Sequence, residues 1–219
     1  MATRQLLADL LAAFEAGGGA HAEIESVGGV DALRRVQAGE AFDLVVLASD
    51  AIDQLIGTGR VVPGSKIDLA RSGVAVAVRA GAAQPDIGSE DALRRAVLAA
   101  RSVGYSTGPS GVALVKLFER WGIAERIRER IVQAPPGVPV GALVAGGEVE
   151  LGFQQLSELM HLQGIIVVGP LPRDVQITTV FSAGVCSASM QADALRPLFE
   201  FMASARSEAV KRRQGMEPA

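Results

Sequence analysis

The run Ser102-Val-Gly-Tyr-Ser-Thr-Gly-Pro-Ser110-Gly-Val-Ala-Leu-Val-Lys-Leu-Phe-Glu-Arg-Trp-Gly122 gathers the residue types that hold an anion without using positive side chains. Ser106, Thr107 and Ser110 supply hydroxyls, Gly108 and Gly111 let backbone N–H groups come close to a ligand, and Pro109 suits the first helical turn, where its missing N–H costs nothing. The unpaired N–H groups at a helix start and the positive end of its dipole then face the same point. Small-residue loops also join strands to helices for steric reasons alone, so this loop by itself reads either way.

A second run, His21 to Gly39, has the same order of strand, Gly-rich turn and helix, with Gly28 and Gly29 in the turn. Two such cradles at the carboxyl ends of strands predict two lobes that close on one ligand, the alternative being ordinary turns in one sheet. A third group, Gln154-Gln155-Leu-Ser-Glu158, places amides, a hydroxyl and a carboxylate after an apolar strand ending at Phe153. His21 and His161 stand far apart, without Cys or carboxylate partners at ligand spacing, so no metal site is expected. No Gly-x-Ser-x-Gly elbow of a serine hydrolase occurs.

These groups must be positioned by an α/β framework. In 219 residues, 49% are hydrophobic and only 4% aromatic, which predicts cores of Ala, Val, Leu and Ile. The net charge is −3, and basic pairs such as Arg34-Arg35 and Arg94-Arg95 read as solvated helix faces rather than a nucleic-acid stripe. The single cysteine, Cys186, excludes an internal disulfide. No apolar run is long enough for a membrane span, so no direct membrane insertion is expected.

The pattern predicts a helix from the N-terminus to Gly17, then a strand over 22–27, a helix over 30–38 and a buried strand over 42–49. A helix over 51–56 precedes a long extended run, 66–79, and Ser89 is placed to cap a helix continuing to Ala100. Beyond Gly122 a short charged helix leads to a strand over 131–133, a helix over 140–145, a strand over 149–153 and a strand over 165–168. A second long extended run, 175–185, and a helix over 192–203 complete the pattern. Two long crossings with a smaller α/β unit between them predict a hinged clamshell, in which Val74–Val78 pairs with Ile177–Phe181 at the hinge.

The motifs Asp43-Leu-Val-Val-Leu-Ala, Val62-Pro-Gly-Ser-Lys-Ile-Asp-Leu-Ala-Arg-Ser-Gly-Val-Ala-Val-Ala-Val-Arg-Ala-Gly81, Pro109-Ser-Gly, Gly152-Phe-Gln-Gln-Leu-Ser-Glu-Leu and Val168-Gly-Pro-Leu-Pro172 follow one another in an order that resembles a known family. It is the molybdate-binding-protein-like branch of the type 2 periplasmic solute-binding proteins, and the likeness runs over nearly the whole chain. It implies an α/β two-lobed clamshell, with lobe 1 discontinuous over residues 1–74 and 178–219 and lobe 2 over 75–177. A small anion would lie in the interlobe cleft, held by Ala2, Thr3, Gly28, Gly29, Ser106, Thr107, Gly108, Ser110, Gly111, Gln154 and Gln155. No cofactor and no metal are implied. Where the family's molybdate binders carry a tyrosine, this chain has Gln154-Gln155, which favours a broader oxyanion or an organic carboxylate.

The resemblance further implies a solute-binding component of an ABC-type uptake system, or a related sensor, with transporter membrane subunits as partners. Some proteins resembling this branch are isomerases of unsaturated tricarboxylates such as aconitate, which need a general base beside a carboxylate. Asp31, Tyr105 and Glu158 are the candidates for that role here. The first lobe of such a fold has a strand ahead of its first helix, and this sequence opens on the helix. The expectation is that Met1 is an internal or late start, with a strand and possibly an export signal encoded upstream, giving a periplasmic protein; otherwise a cytoplasmic one is expected.

Overall fold

The structure is a computed structural model that describes residues 2–219. Met1, on which the expectation of an upstream strand turns, lies outside the described residues. In chain order the elements are α1 (Arg4–Ala16), α2 (Gly29–Ala38), β1 (Leu44–Ala48), α3 (Ser49–Gly57), β2 (Ile67–Arg79), α4 (Glu90–Ala99), β3 (Val103–Tyr105), α5 (Pro109–Arg120), α6 (Ala124–Ile127) and β4 (Ile131–Gln133). They continue as α7 (Val140–Gly146), β5 (Leu151–Gln155), α8 (Leu156–Leu159), β6 (Ile165–Pro170), β7 (Thr178–Val185), α9 (Ala192–Ala203), α10 (Glu208–Arg213) and β8 (Glu217–Pro218). The chain divides into two compact units, Met1–Ser72 with Thr179–Ala219, and Gly73–Thr178.

In the first unit β1 pairs antiparallel with β7, from Leu44 opposite Val185 to Ala48 opposite Phe181, and β8 pairs with β2 at Ala70 and Arg71. The strand period of two sends alternate side chains of β1 to opposite faces. Leu44 and Val46 join Leu6 and Leu10 of α1, Leu198 and Phe201 of α9 and Val210 of α10. Val45 and Leu47 join Val36 of α2 and Ile52 and Leu55 of α3. This unit is therefore a sheet with helices on both faces. Its closing helix is tied down by Lys211, 2% exposed, whose ammonium donates to Met202 O at 2.7 Å.

The strand expected over 22–27 does not form: residues 19–28 are irregular and have no ladder partner among the described residues. The polar groups of this segment go to helices instead. The Glu25 carboxylate accepts from both Nη nitrogens of Arg35, with Nη2 to Oε2 at 2.9 Å, and Ala22 N–H donates to Glu15 Oε1 at 3.3 Å. β-propensity expresses itself only against a neighbouring strand, and Ile24, 41% exposed, has no sheet face to cover it.

In the second unit β3 pairs parallel with β4 and with β5, and β5 pairs antiparallel with β2. β6 also pairs antiparallel with β2, from Ala75 opposite Pro170 to Arg79 opposite Ile165. Val74, Val76 and Val78, with Val103, Leu151 and Phe153, face Leu93 and Val97 of α4, Leu114, Leu117 and Phe118 of α5 and Ile127 of α6. On the opposite face lie α7 and α8, through Val140, Val144 and Leu159. Gly104 and Gly152 permit that approach, since a Cβ on Gly104 would sit 2.7 Å from Val149 Cγ1 and one on Gly152 would sit 2.5 Å from Val144 Cγ2.

Ser89 caps α4, its hydroxyl accepting from Ala92 N–H at 3.2 Å. Two expectations need correction. The extended run over 175–185 is broken by a 3-10 turn at Arg173–Val175, and β7 begins only at Thr178. The Gln176 side chain occupies the interruption, its Oε1 accepting from Val74 N–H at 3.1 Å and from Ile177 N–H at 2.8 Å. Val74 N–H also donates to Ile177 O at 3.0 Å, but Ala75 to Val78 pair with β5 and β6, and Phe181 pairs with Ala48. β7 is the hydrogen-bonded neighbour of β2 in the sheet, so the two long runs do pair, but the expected register is displaced: Ala75 to Val78 lie against β5 and β6, and of Val74–Val78 it is Val74 that meets Ile177.

Candidate functional site

Because β3, β4 and β5 are parallel, their carboxyl ends lie on one edge of the second unit's sheet, and the loops leaving them are neighbours. The loop after β3 is Ser106–Gly108, with Gly108 as the N-cap of α5 and Pro109 at its first position. Gly111 N–H and Val112 N–H both return to Gly108 O, at 3.0 and 3.2 Å. Ser110 is 6% exposed, and its hydroxyl has no hydrogen-bond partner among the described residues. Gly111 packs against the backbone of Ser106 so closely that any Cβ would overlap the Ser106 carbonyl oxygen. Ser106 and Gly108 are half-buried and Thr107 is exposed. The loop is therefore a tight, hydroxyl-lined turn at the start of a helix of 12 residues, with N–H donors and the Ser110 hydroxyl left to an external acceptor.

The neighbouring exit is that of β5, which runs farther than expected and takes Gln154 and Gln155 into the ladder, opposite Ala75 and Val74. Both glutamines are buried, Gln154 at 2% and Gln155 at 4% exposure. Gln154 Oε1 accepts from Val140 N–H at 2.8 Å and Gly141 N–H at 3.4 Å, and its Nε2 donates to Glu158 Oε2 at 2.7 Å. The Gln154 amide is thus committed within the protein. Ser157, 7% exposed, carries a buried hydroxyl with no partner. Glu158 is half-buried, and burial pushes its carboxyl above the ordinary carboxylate range against the opposing pull of the N-terminal positive charge and of the Gln154 bond. Tyr105, the last residue of β3, is half-buried and its phenol is pushed up by burial, so it stays protonated at neutral pH.

The other sequence candidates belong to the first unit. Ala2 is half-buried, and Thr3, 9% exposed, is the N-cap of α1 without a side-chain cap bond. Gly28 is the N-cap of α2, Gly29 its first residue, and Asp31 in the first turn pairs with Arg34 at 2.9 Å. Asp31 is solvated, its side chain 48% exposed. Thr3 lies at the start of the helix that packs one face of the first unit's sheet and Gly28 and Gly29 at the start of the helix that packs the other; no hydrogen bond among the described residues joins them.

The α7 backbone donors that fix Gln154 were missed by sequence reasoning. The signal was the Pro-Pro-Gly-Val-Pro139 run, which forces an abrupt helix start and leaves its first N–H groups in need of an acceptor. Among the described residues no cluster of His, Cys, Asp and Glu could hold a metal ion, and no helix is long and apolar enough to cross a membrane. Burial pushes the Cys186 thiol up to about 11, as befits an inert core cysteine.

Comparison with known proteins gives the same fold. The chain superposes on the Azotobacter vinelandii periplasmic molybdate-binding protein with a TM-score of 0.79 at 20% identity, covering 99% of this chain and 96% of that one. It superposes on the substrate binding domain of a putative molybdenum ABC transporter from Clostridium difficile with a TM-score of 0.77 at 15% identity, covering 100% and 95%. In sequence it is 38% identical over 185 residues to an aconitate isomerase of a Pseudomonas species, spanning 84% of this chain and 70% of that protein. The model of the bacterial extracellular solute-binding proteins matches residues 1–217. With a mixed α/β fold of the type 2 periplasmic-binding kind and a family match along almost its whole length, the chain belongs to the bacterial extracellular solute-binding proteins.

Proposed function

We propose that the chain binds a small anion, an oxyanion or an organic carboxylate, at the Ser106–Gly111 loop, and that it serves as the periplasmic solute-binding component of an ABC-type uptake system or as a related sensor. The observation that carries this reading is the Ser106–Gly111 approach: only glycine fits at 111, and the turn it permits leaves the Ser110 hydroxyl with no hydrogen bond to the protein among the described residues. An anion in the loop would be held by charge-assisted bonds from this hydroxyl and the neighbouring N–H groups. The reading is tested by a thermal-shift screen of the purified protein against molybdate, sulfate, phosphate and di- and tricarboxylates, since a ligand bound only by the native state raises the melting temperature. A saturable rise with one anion class supports it, and no rise with any contradicts it.

A second reading, an isomerase of an unsaturated tricarboxylate such as aconitate, is favoured by the carboxyl of Glu158 and by the 38% identical relative. Of the three base candidates, Asp31 is a solvated ion-pair partner and Tyr105 is held protonated, which leaves Glu158. In such a reaction the Glu158 carboxylate would take a proton from the carbon next to the double bond, the π electrons would shift, and the proton would return at the far carbon. Proton NMR of trans-aconitate incubated with the protein in D2O separates the readings. Appearance of the cis isomer with deuterium incorporation supports turnover, and unchanged bound ligand supports the receptor.

A further inference from the structure

The Gln154 amide cannot be turned around. Its Oε1 faces the N–H groups of Val140 and Gly141, and reversing the amide would set NH2 against those donors and leave two buried N–H groups without an acceptor. The orientation is therefore fixed by the backbone of α7, and Nε2 has to donate toward Glu158, where it meets Oε2 at 2.7 Å. The chain of bonds runs from a buried helix start, through one amide, to one oxygen of a carboxyl on the exit of β5. The second oxygen, Oε1, stands outside this chain of bonds. The exit of β5 is next to the exit of β3, where the Ser106–Gly111 loop lies.

We propose that Gln154 is a positioning residue that holds Glu158 as a hydrogen-bond acceptor toward the bound ligand, so that the site selects organic acids carrying a hydroxyl or an acidic C–H over bare inorganic oxyanions. The inference rests on the anion-binding reading above. A carboxyl beside an anion cradle repels a ligand that offers it nothing, and a donor on the ligand converts that repulsion into a bond. Burial favours the neutral form of Glu158 and so lessens the repulsion further. Neither the Val140–Gly146 helix nor the Leu151–Gln155 strand, both packed against α8, carries a titratable side chain, and the charge that acts on the carboxyl is the positive one of the chain's N-terminus, which draws its pKa down against burial. The ionisable groups nearest along the chain are His161, three positions on, and Tyr105 on the adjoining strand.

The test uses the full chain labelled with carboxyl-13C glutamate, with Glu158→Gln identifying the resonance. The Glu158 midpoint is expected above the ordinary glutamate range, and Gln154→Met is expected to move it further up by about half a pH unit or more as the donor is lost. Citrate and tricarballylate differ by one hydroxyl, and the wild type is expected to bind citrate at least fivefold more tightly, a preference that falls below about twofold in Gln154→Met. In Glu158→Gln the fixed donor of Gln154 draws the new amide oxygen toward itself and turns NH2 to the ligand, so the preference is expected to disappear or reverse. If Gln154→Met lowers the melting temperature yet leaves both the midpoint and the preference in place, Gln154 is a helix cap only and the proposal is overturned. Equal binding of the two acids by the wild type also overturns it. Sulfate or trans-aconitate binding that persists in that case leaves the anion reading standing, whereas no binding of any anion overturns both.

Discussion

Gly111 and the carbonyl of Ser106 meet so closely that the position admits no side chain at all. This contact fixes the path by which the chain leaves β3 and enters α5, and it decides which polar groups face outward. Gly111→Ala is therefore expected to displace the loop, lowering stability by about 1–3 kcal/mol and abolishing anion binding. Urea denaturation with parallel anion titration checks both effects, and a variant with unchanged stability would show that the loop has room to spare.

Ser110→Ala separates ligand contact from folding. The hydroxyl makes no bond within the protein, so its removal should change stability by under about 0.5 kcal/mol. Loss of a hydrogen bond to a charged ligand should weaken binding by about 1.5–3 kcal/mol, roughly 10- to 150-fold. Calorimetric titration with the anion identified in the thermal-shift screen reads the difference.

Glu158 should oppose stability at neutral pH. Its folded-state pKa is raised by burial above the ordinary carboxylate value, so the folded state binds the proton more tightly. Stability is then highest below the unfolded pKa and is lost as the pH rises through the folded value. Glu158→Gln removes the charge, so it should raise the melting temperature at pH 7.5 and give no gain at pH 4. A gain of equal size at both pH values would mean that the effect is packing rather than ionisation.

Glu150 carries the opposite sign. Its carboxylate accepts from Arg101 N–H at 2.6 Å and Nε at 3.1 Å, and these bonds hold its pKa below 4.5. Its contribution is present above the unfolded pKa and fades as the pH falls through the lowered folded value. In Glu150→Gln the acid limb of a stability–pH curve should be shallower than in the wild type; parallel curves would contradict the assignment.

Gly152 tests how α7 is seated, since a Cβ there would sit 2.5 Å from Val144 Cγ2. Gly152→Ala should cost about 1–3 kcal/mol, and adding Val144→Ala should recover part of that. An additive double mutant would show that the two positions do not press on each other.

Much of this architecture was legible because hydrophobic period and punctuation agree. The 13 residues of β2 follow from β-branched residues alternating with Ala, and the start of α5 follows from Gly108-Pro109. What the sequence hid depends on partners. Residues 22–27 look like a strand, yet the Glu25 carboxylate binds Arg35 of α2, the Ala22 N–H donates to Glu15 of α1, and among the described residues no neighbouring strand receives them. Gln154 looks like a ligand contact on a strand exit, and it is instead drawn into the ladder and spent on the helix start at Val140, an acceptor demand that arises some fourteen residues away in the chain. Hydroxyls that could meet an anion were visible by type; which of them the protein leaves without a bond of its own was not.

The central claim is that the Ser106–Gly111 loop holds the anion, and backbone 1H–15N NMR during titration with that anion tests it most directly. The account predicts saturable downfield shifts concentrated on the amides of Ser106, Thr107, Gly108, Ser110 and Gly111, lost in Ser110→Ala or moved to higher ligand concentration. Saturable shifts that leave these amides untouched would contradict it.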